Sequence, residues 1–307
     1  MAAKDPSQKT VQRKSKGGVG QSAPPLSQQS EEMLYLVARY GYVNTPQIAN
    51  RLFKGNKQSS QMADMNKKLF DSGYIDRFPL PSASPARNMP LVSTLTKKGA
   101  ELIANLRNLA ITALYVPSAT DQPKAAYFEH LMMINDVRVI IELACEHSSY
   151  ELKWLDERTI RKHKLYEEIE LQMPQERVEK TANIPDGFFS LKTQAGWLSF
   201  FLEIDRGTEA HAVIHKKAQV YNAYEKTSHY AQYYAASDSA GTTASLFTLL
   251  VTNAAKRRDT IVTSLGKALP NQPFLCSAYP ELTPENALTE PIWYAPHFTG
   301  AITLVSP

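Results

Sequence analysis

The stretch IPDGFFSLKTQAGWLSFFLEIDRGTE, residues 184–209, constrains the fold more than any other part of the chain. In WLSFFLEID a period of two puts Leu198, Phe200, Leu202 and Ile204 on one face of a strand. Ser199, Phe201, Glu203 and Asp205 fall on the other. Two carboxylates therefore share a face at the end of an otherwise apolar strand. An unpaired buried carboxylate is costly, so a cation is expected beside them. A hairpin turning over Thr193–Gly196 brings Asp186 opposite Glu203, with Cβ atoms roughly 4.5–5.5 Å apart. Three carboxylates are then expected to converge on one spot. Their repulsion is relieved by a metal ion, and an all-oxygen ligand set suits Mg²⁺ or Mn²⁺.

The following segment is predicted to be one long helix from about Glu209 to Ala236. With Lys217 at zero and 100° per residue, Ala210, Val213, Ile214, Val220, Tyr221 and Tyr224 all lie within about 60° of it. Lys217 is thus centred on the core-facing stripe, whereas Lys216 lies about 100° away and is expected in solvent. A lysine on a buried face needs an anionic partner. The acidic cluster just upstream supplies one, either as a catalytic arrangement or as a structural ion network with a snorkelling lysine.

The chain as a whole has the composition of a soluble globular protein, with 307 residues, 43% hydrophobic and 21% charged. No apolar run reaches the ~18–20 residues of a membrane span. No secretory signal is recognisable at the N-terminus, and two cysteines, Cys145 and Cys276, exclude a disulfide scaffold or a cysteine zinc ribbon. A cytoplasmic location is expected. The net charge of +4 resides in the first 30 residues, where Lys4, Lys9, Arg13, Lys14 and Lys16 face only Asp5. Residues 1–29, rich in Gln, Ser, Lys, Gly and Pro, are expected to form a disordered basic tail.

Residues 30–107 are expected to be a compact helical unit with one hairpin. A helix at EEMLYLVARY stops at Gly41, and Thr45 caps a short second helix through Leu52. A third helix runs from about Ser59 to Ser72 with Met62, Met65, Leu69 and Phe70 inward. Gly73 ends it, a strand begins at Tyr74 and Ile75, and a Pro- and Ser-rich loop leads to a second strand, LVSTL. The helix TKKGAELIANL closes the unit. This order, with the phrase LTKKGAEL, resembles a winged helix-turn-helix over about 75 residues. In that fold the third helix enters the DNA major groove. Gln58, Ser60, Gln61, Asp64, Lys67 and Lys68 would face the DNA, and Arg87 in the wing loop would reach a phosphate or the minor groove. A protein-binding winged helix with a solvated third helix is the other reading. Residues 108–125 are the expected linker, and residues 126–307 a mixed α/β domain.

In that second domain, an Asp ending one hairpin strand, a Glu on the next and a lysine nearby resemble the core of the PD-(D/E)xK nuclease fold. The segments IPDG, FLEIDRGTE and KAQVY look more specifically like the replication-relaxation family, which includes MobC-type plasmid relaxases. The resemblance spans most of residues 30–265. It implies an α/β (α+β) fold, with a winged helix-turn-helix preceding a restriction-endonuclease-like domain whose mixed sheet is flanked by helices. It also implies metal-dependent nicking of double-stranded DNA at a plasmid origin of transfer, with relaxosome or coupling proteins as further partners. Asp186 and Glu203 would bind Mg²⁺ or Mn²⁺, Asp205 would be a further ligand or a supporting group, and Lys217 would act on the attacking water or the phosphate. The family's Glu-x-Lys lysine is Asp205 here, so Lys217 must supply that function from the helix. A non-catalytic DNA-binding regulator and an endonuclease that cuts both strands are the competing classes.

Several other features are given minor roles. Glu209 and Arg206 are read as bracing the helix start, Tyr221 as a core aromatic, and Glu157 as a distant extra carboxylate. His211 and His215 fall on the solvent side of their helix. The Lys256–Arg258 run is read as meeting phosphates or lying in solvent.

Overall fold

The computed structural model describes residues 26–81, 89–117, 124–166, 168–172, 178–194, 196–227, 231–237, 243–269 and 273–305. Arg87 and most of the basic tail lie outside them. The chain divides into two compact units, through Val139 and from Ile140. The division falls inside a helix, not in the proline-containing segment 108–125.

The first unit comprises α1 (Gln28–Tyr40), β1 (Tyr42–Asn44), α2 (Thr45–Leu52), α3 (Ser60–Asp71), β2 (Ile75–Pro79), β3 (Leu91–Leu95), α4 (Lys97–Arg107) and the first half of α5 (Ala125–Ser148). Its antiparallel sheet has the order β1-β3-β2. Helices α1–α4 and a three-stranded antiparallel sheet in this order match the arrangement expected of a winged helix-turn-helix. Local chemistry sets the boundaries. Ser59 accepts from the Met62 N–H at 3.2 Å and Thr96 from the Gly99 N–H at 3.0 Å, each capping its helix. Asn44, rather than Thr45, caps α2, in a reciprocal pair with Gln47. Gly41 and Gly73 take positive φ where the sequence predicts stops. A Cβ on Gly99 would lie 1.9 Å from the Tyr74 carbonyl oxygen, so only glycine lets the start of α4 rest on the start of β2. The start of α5 packs Phe128 and Met132 against Tyr42 and Val92 of this unit. Gln47 ties it further, donating to the Met132 carbonyl at 2.9 Å and to Asp136 at 2.9 Å. These contacts put the first turns of the helix in the N-terminal unit.

The second unit comprises the end of α5, β4 (Glu151–Asp156), α6 (Glu157–Lys162), β5 (Ile169–Gln172), β6 (Val178–Thr181), β7 (Gly187–Thr193), β8 (Gly196–Asp205), α7 (His211–Thr227), α8 (Ala231–Ser237), β9 (Thr243–Thr252), α9 (Ala255–Ala268), β10 (Phe274–Ala278), β11 (Trp293–Tyr294) and β12 (Ala301–Ile302). Its seven-stranded sheet has the order β12-β11-β10-β9-β8-β7-β4. β8, β9 and β10 are parallel, and the other pairings are antiparallel. Parallel neighbours require crossovers, here α7 with α8 and then α9. All three helices join one apolar cluster on one face of the sheet, through Ile214, Tyr221, Tyr233 and Leu265 against Phe188, Phe201, Leu250 and Cys276. On the opposite face, Trp154, Phe189, Phe200 and Phe247 stack in turn across four strands, at 5.2, 4.8 and 6.0 Å between centroids. Both faces are covered, so the central strands read as nearly continuous apolar runs.

A candidate active site at the end of an apolar hairpin

The hairpin register fixes the site. Thr193 pairs with Gly196 and Gly187 with Leu202, so Asp186 sits just ahead of β7, across from Glu203. The Asp186 N–H donates to the Leu202 carbonyl at 3.0 Å, and its Oδ2 accepts the Ile204 N–H at 2.7 Å. Glu203 is 1% exposed. Its Oε1 accepts from the Tyr221 hydroxyl and from Asn183 Nδ2, the latter at 2.8 Å. Its Oε2 accepts from Lys217 Nζ at 2.8 Å.

Lys217 does lie on the inner face of α7. Its ammonium bridges Glu203 and Glu209, at 2.8 Å to each. Burial alone would depress this ammonium, but the two carboxylates outweigh it and hold the Lys217 pKa above its ordinary value. Burial raises the pKa of Glu203, and so does the charge of Asp186; Lys217 and Tyr221 oppose the rise only in part. Tyr221 is held well above the usual tyrosine value by burial and by the Glu203 charge, so it remains a hydrogen-bond donor.

Three expectations about this region need correction. Asp205 does not converge with the other two carboxylates. Two residues of strand advance about 6.6 Å, which carries it to α9. There its Oδ2 accepts from Arg257 Nε at 2.7 Å, and its Oδ1 accepts the Gly207 N–H at 2.9 Å. Lys216 is not left to solvent, because β6 offers it Glu179 Oε1 at 2.7 Å. The Lys256–Arg258 run is neither a phosphate-facing row nor a solvated face as a whole. Arg257 is spent on Asp205 and on the Glu209 carbonyl, and Arg258 on Asp259 and Glu281, over the Tyr294 ring.

Smaller departures follow from helix ends. Val213, on the predicted inward stripe, is 44% exposed in the first turn of α7. His215 Nε2 lies 2.7 Å from Ser264 Oγ of α9. Glu157 pairs with Arg161 along α6 and contributes nothing to the site.

Sequence reasoning missed Asn183 and underrated Glu209. Asn183 lies between β6 and β7, in a segment with no periodicity to mark it. Glu209 Oε1 holds Lys217, while its Oε2 is buried without a hydrogen-bond partner. Asp186, Glu203 and Glu209 offer only oxygen donors, the ligand type that a small hard dication takes. Among the described residues, no three His, Cys, Asp or Glu side chains are already gathered as a metal cage.

In the first unit, Gln58, Ser60, Gln61, Asp64, Lys67 and Lys68 are all exposed, and Met62, Met65 and Leu69 are buried. Phe70 is half-buried and Asn66 takes the remaining inward position. Gln61 bonds to Gln29 of α1, and Lys67 pairs with Asp71 one turn on. No helix among the described residues is long and apolar enough to cross a membrane.

Comparison with known proteins places these features in context. The family described as replication-relaxation matches residues 34–238, two-thirds of the chain and both units. A search of curated proteins returned no match. Among solved structures, the restriction endonuclease FokI is similar with a TM-score of 0.27 and 12% identity. That overlap takes in 81% of this chain and 42% of FokI, so the chain spans less than half of that enzyme's length.

Proposed function

The chain belongs to the replication-relaxation family, and from that premise we propose that it nicks DNA at a plasmid origin of transfer. In this reading the winged helix holds the recognised duplex through α3. The second unit cleaves one strand in the presence of Mg²⁺ or Mn²⁺. The observation that carries the proposal is the buried contact of Lys217 with Glu203, directly across from Asp186.

Asp186 and Glu203 would hold the cation, with Glu209 Oε2 as a nearby oxygen donor. When bound, the cation supplies Lewis acidity toward the scissile phosphate and lowers the pKa of a bound water. The protein's own groups do the rest. Tyr221 and Asn183 fix Oε1 of Glu203, so the carboxylate cannot rotate away. Lys217 remains protonated and is positioned by two carboxylates, ready to hold the attacking water or to neutralise charge growing on the phosphate. Arg257 anchors Asp205 and the Glu209 carbonyl, bracing the turn that connects β8 to α7. The enzyme therefore has little reorganisation to make around its reacting groups.

The test is incubation of supercoiled plasmid carrying its origin region with the protein in Mg²⁺, Mn²⁺ or EDTA. An open-circular product that requires a dication supports nicking. Linear product would reassign the protein to double-strand cleavage. Intact plasmid, together with site-specific DNA binding, would make it a DNA-binding regulator.

A further inference from the structure

Between α7 and α9 lies an open, shallow cleft of about 770 Å³. His211 and His215 line it from α7, and Lys256, Thr263 and Lys267 line it from α9. Lys256 and Lys267 are eleven residues apart. At 100° and 1.5 Å per residue they lie within about 20° of one another on the helix and about 16 Å apart along it. Both are exposed, and neither makes an ion pair among the described residues. One acid also lines the cleft, Asp259, paired with Arg258 at 2.8 Å, an arginine that it shares with Glu281, so the two lysines outnumber it. His215 is held below its ordinary pKa by burial and by His211, so the lysines supply the charge. α9 begins at the same end as Lys256, and its N-cap, Ala254, provides no side-chain hydrogen bond, which adds the positive end of the helix dipole there.

We infer that this cleft is a second DNA contact, holding the phosphate backbone of the strand on its way to or from the Glu203 site. The inference rests on the proposed DNA-nicking function and adds to it a path through the second unit, separate from α3. One DNA strand carries a phosphate about every 3.4 Å of helix axis, so the two lysines span about five phosphates. The cleft is lined by the same two helices, α7 and α9, that supply Lys217 and Arg257 to the proposed site. Arg257, adjacent to Lys256, binds Asp205, and His211 follows Glu209 by two residues.

The experiment measures binding of the full-length protein to a fluorescein-labelled 30-base-pair duplex of arbitrary sequence, at several salt concentrations. Lys256→Gln with Lys267→Gln should reduce the slope of log K against log salt by about 1.8, two phosphate contacts at about 0.9 each. Lys256→Arg with Lys267→Arg should retain the parental slope. Both double variants should melt like the parent, since neither lysine holds anything in the fold. An unchanged slope in the glutamine variant overturns the inference. Plasmid nicking, measured in parallel, separates this from the function itself. An unchanged slope with intact nicking removes the cleft alone, whereas a reduced slope in a protein that never nicks leaves the cleft standing without the nuclease.

Discussion

The outer face of α3 and the inner face of α7 use polar residues in opposite ways. On α3 and just ahead of it, Gln58, Ser60, Gln61, Asp64, Lys67 and Lys68 are exposed, and their side-chain contacts include equally exposed neighbours such as Gln29 and Asp71. Around Glu203, both carboxylate oxygens are occupied, by Lys217 and Tyr221 of α7 and by Asn183 from the segment before β7. Burial makes the second arrangement rigid, because each group strands another if it leaves. Exposure makes the first adaptable, which suits a surface that must fit a partner. One unit keeps its polar groups available, and the other keeps them in place.

The largest expected effect tests this division directly. Asp186→Asn and Glu203→Gln should each reduce plasmid nicking by about a hundredfold to a thousandfold, the scale of removing one preorganised electrostatic group. Fluorescence anisotropy should show DNA affinity unchanged in both. If binding fell together with cleavage, the two regions would not be dividing the work.

Next in size is the stability cost of breaking the buried network. Lys217→Met leaves Glu203 buried without its cation and should cost about 3–5 kcal/mol in chemical denaturation. Adding Glu203→Gln to that variant should recover much of the loss, because the stranded charge is gone. Lys216→Ala, which breaks a half-exposed pair with Glu179, should cost no more than about 1 kcal/mol. Equal losses from the two lysine substitutions would erase the contrast between buried and exposed charge.

On the α3 side, Lys67→Ala with Lys68→Ala should leave the melting temperature almost unchanged and lower the salt slope of DNA binding by about 0.9 for each lost phosphate contact. A large loss of stability with no change in slope would mean that α3 is built like α7 after all.

The mildest test uses pH. The folded-state pKa of Lys217 is raised above its ordinary value of 10.5. A raised pKa on a base contributes stability that is complete below the unfolded value and is lost as pH rises through the folded one. The stability difference between the parent and Lys217→Gln should therefore stay constant from neutrality to about pH 10 and shrink only above it. A difference that vanished near pH 7 would show that the ammonium is not what Glu203 depends on.

Much of this was legible in the sequence because period and register are local. Alternation along residues 197–205 put Glu203 on the face of Phe201, and the two-residue turn brought Asp186 across from it. The 100° step singled out Lys217. What the sequence could not show was which element returns to meet each side chain. Asp205 shares a face with Glu203, yet its partner is Arg257, brought in by a crossover 52 residues later. Lys216 met Glu179 because β5 and β6 form a hairpin that no alternation announced. Asn183 lies in a loop, where neither period applies. In the first unit, the caps and glycine stops were local and readable, but Asn44 displaced Thr45 because only Asn44 reaches Gln47 reciprocally.

The parallel pairing of β8 with β9 also sets an order of events in time. These strands meet only after α7 and α8 have closed the segment between them, and Arg257 meets Asp205 later still in the chain. Such non-local pairings are slow, because the loop entropy must be lost before any contact repays it. The first unit meets a similar wait, because Tyr42 of β1 pairs with Thr94 of β3, 52 residues later. Glu203 and Lys217, 14 residues apart, can meet without the closure of β9 onto β8, whereas Asp205 depends on it for Arg257, 52 residues away.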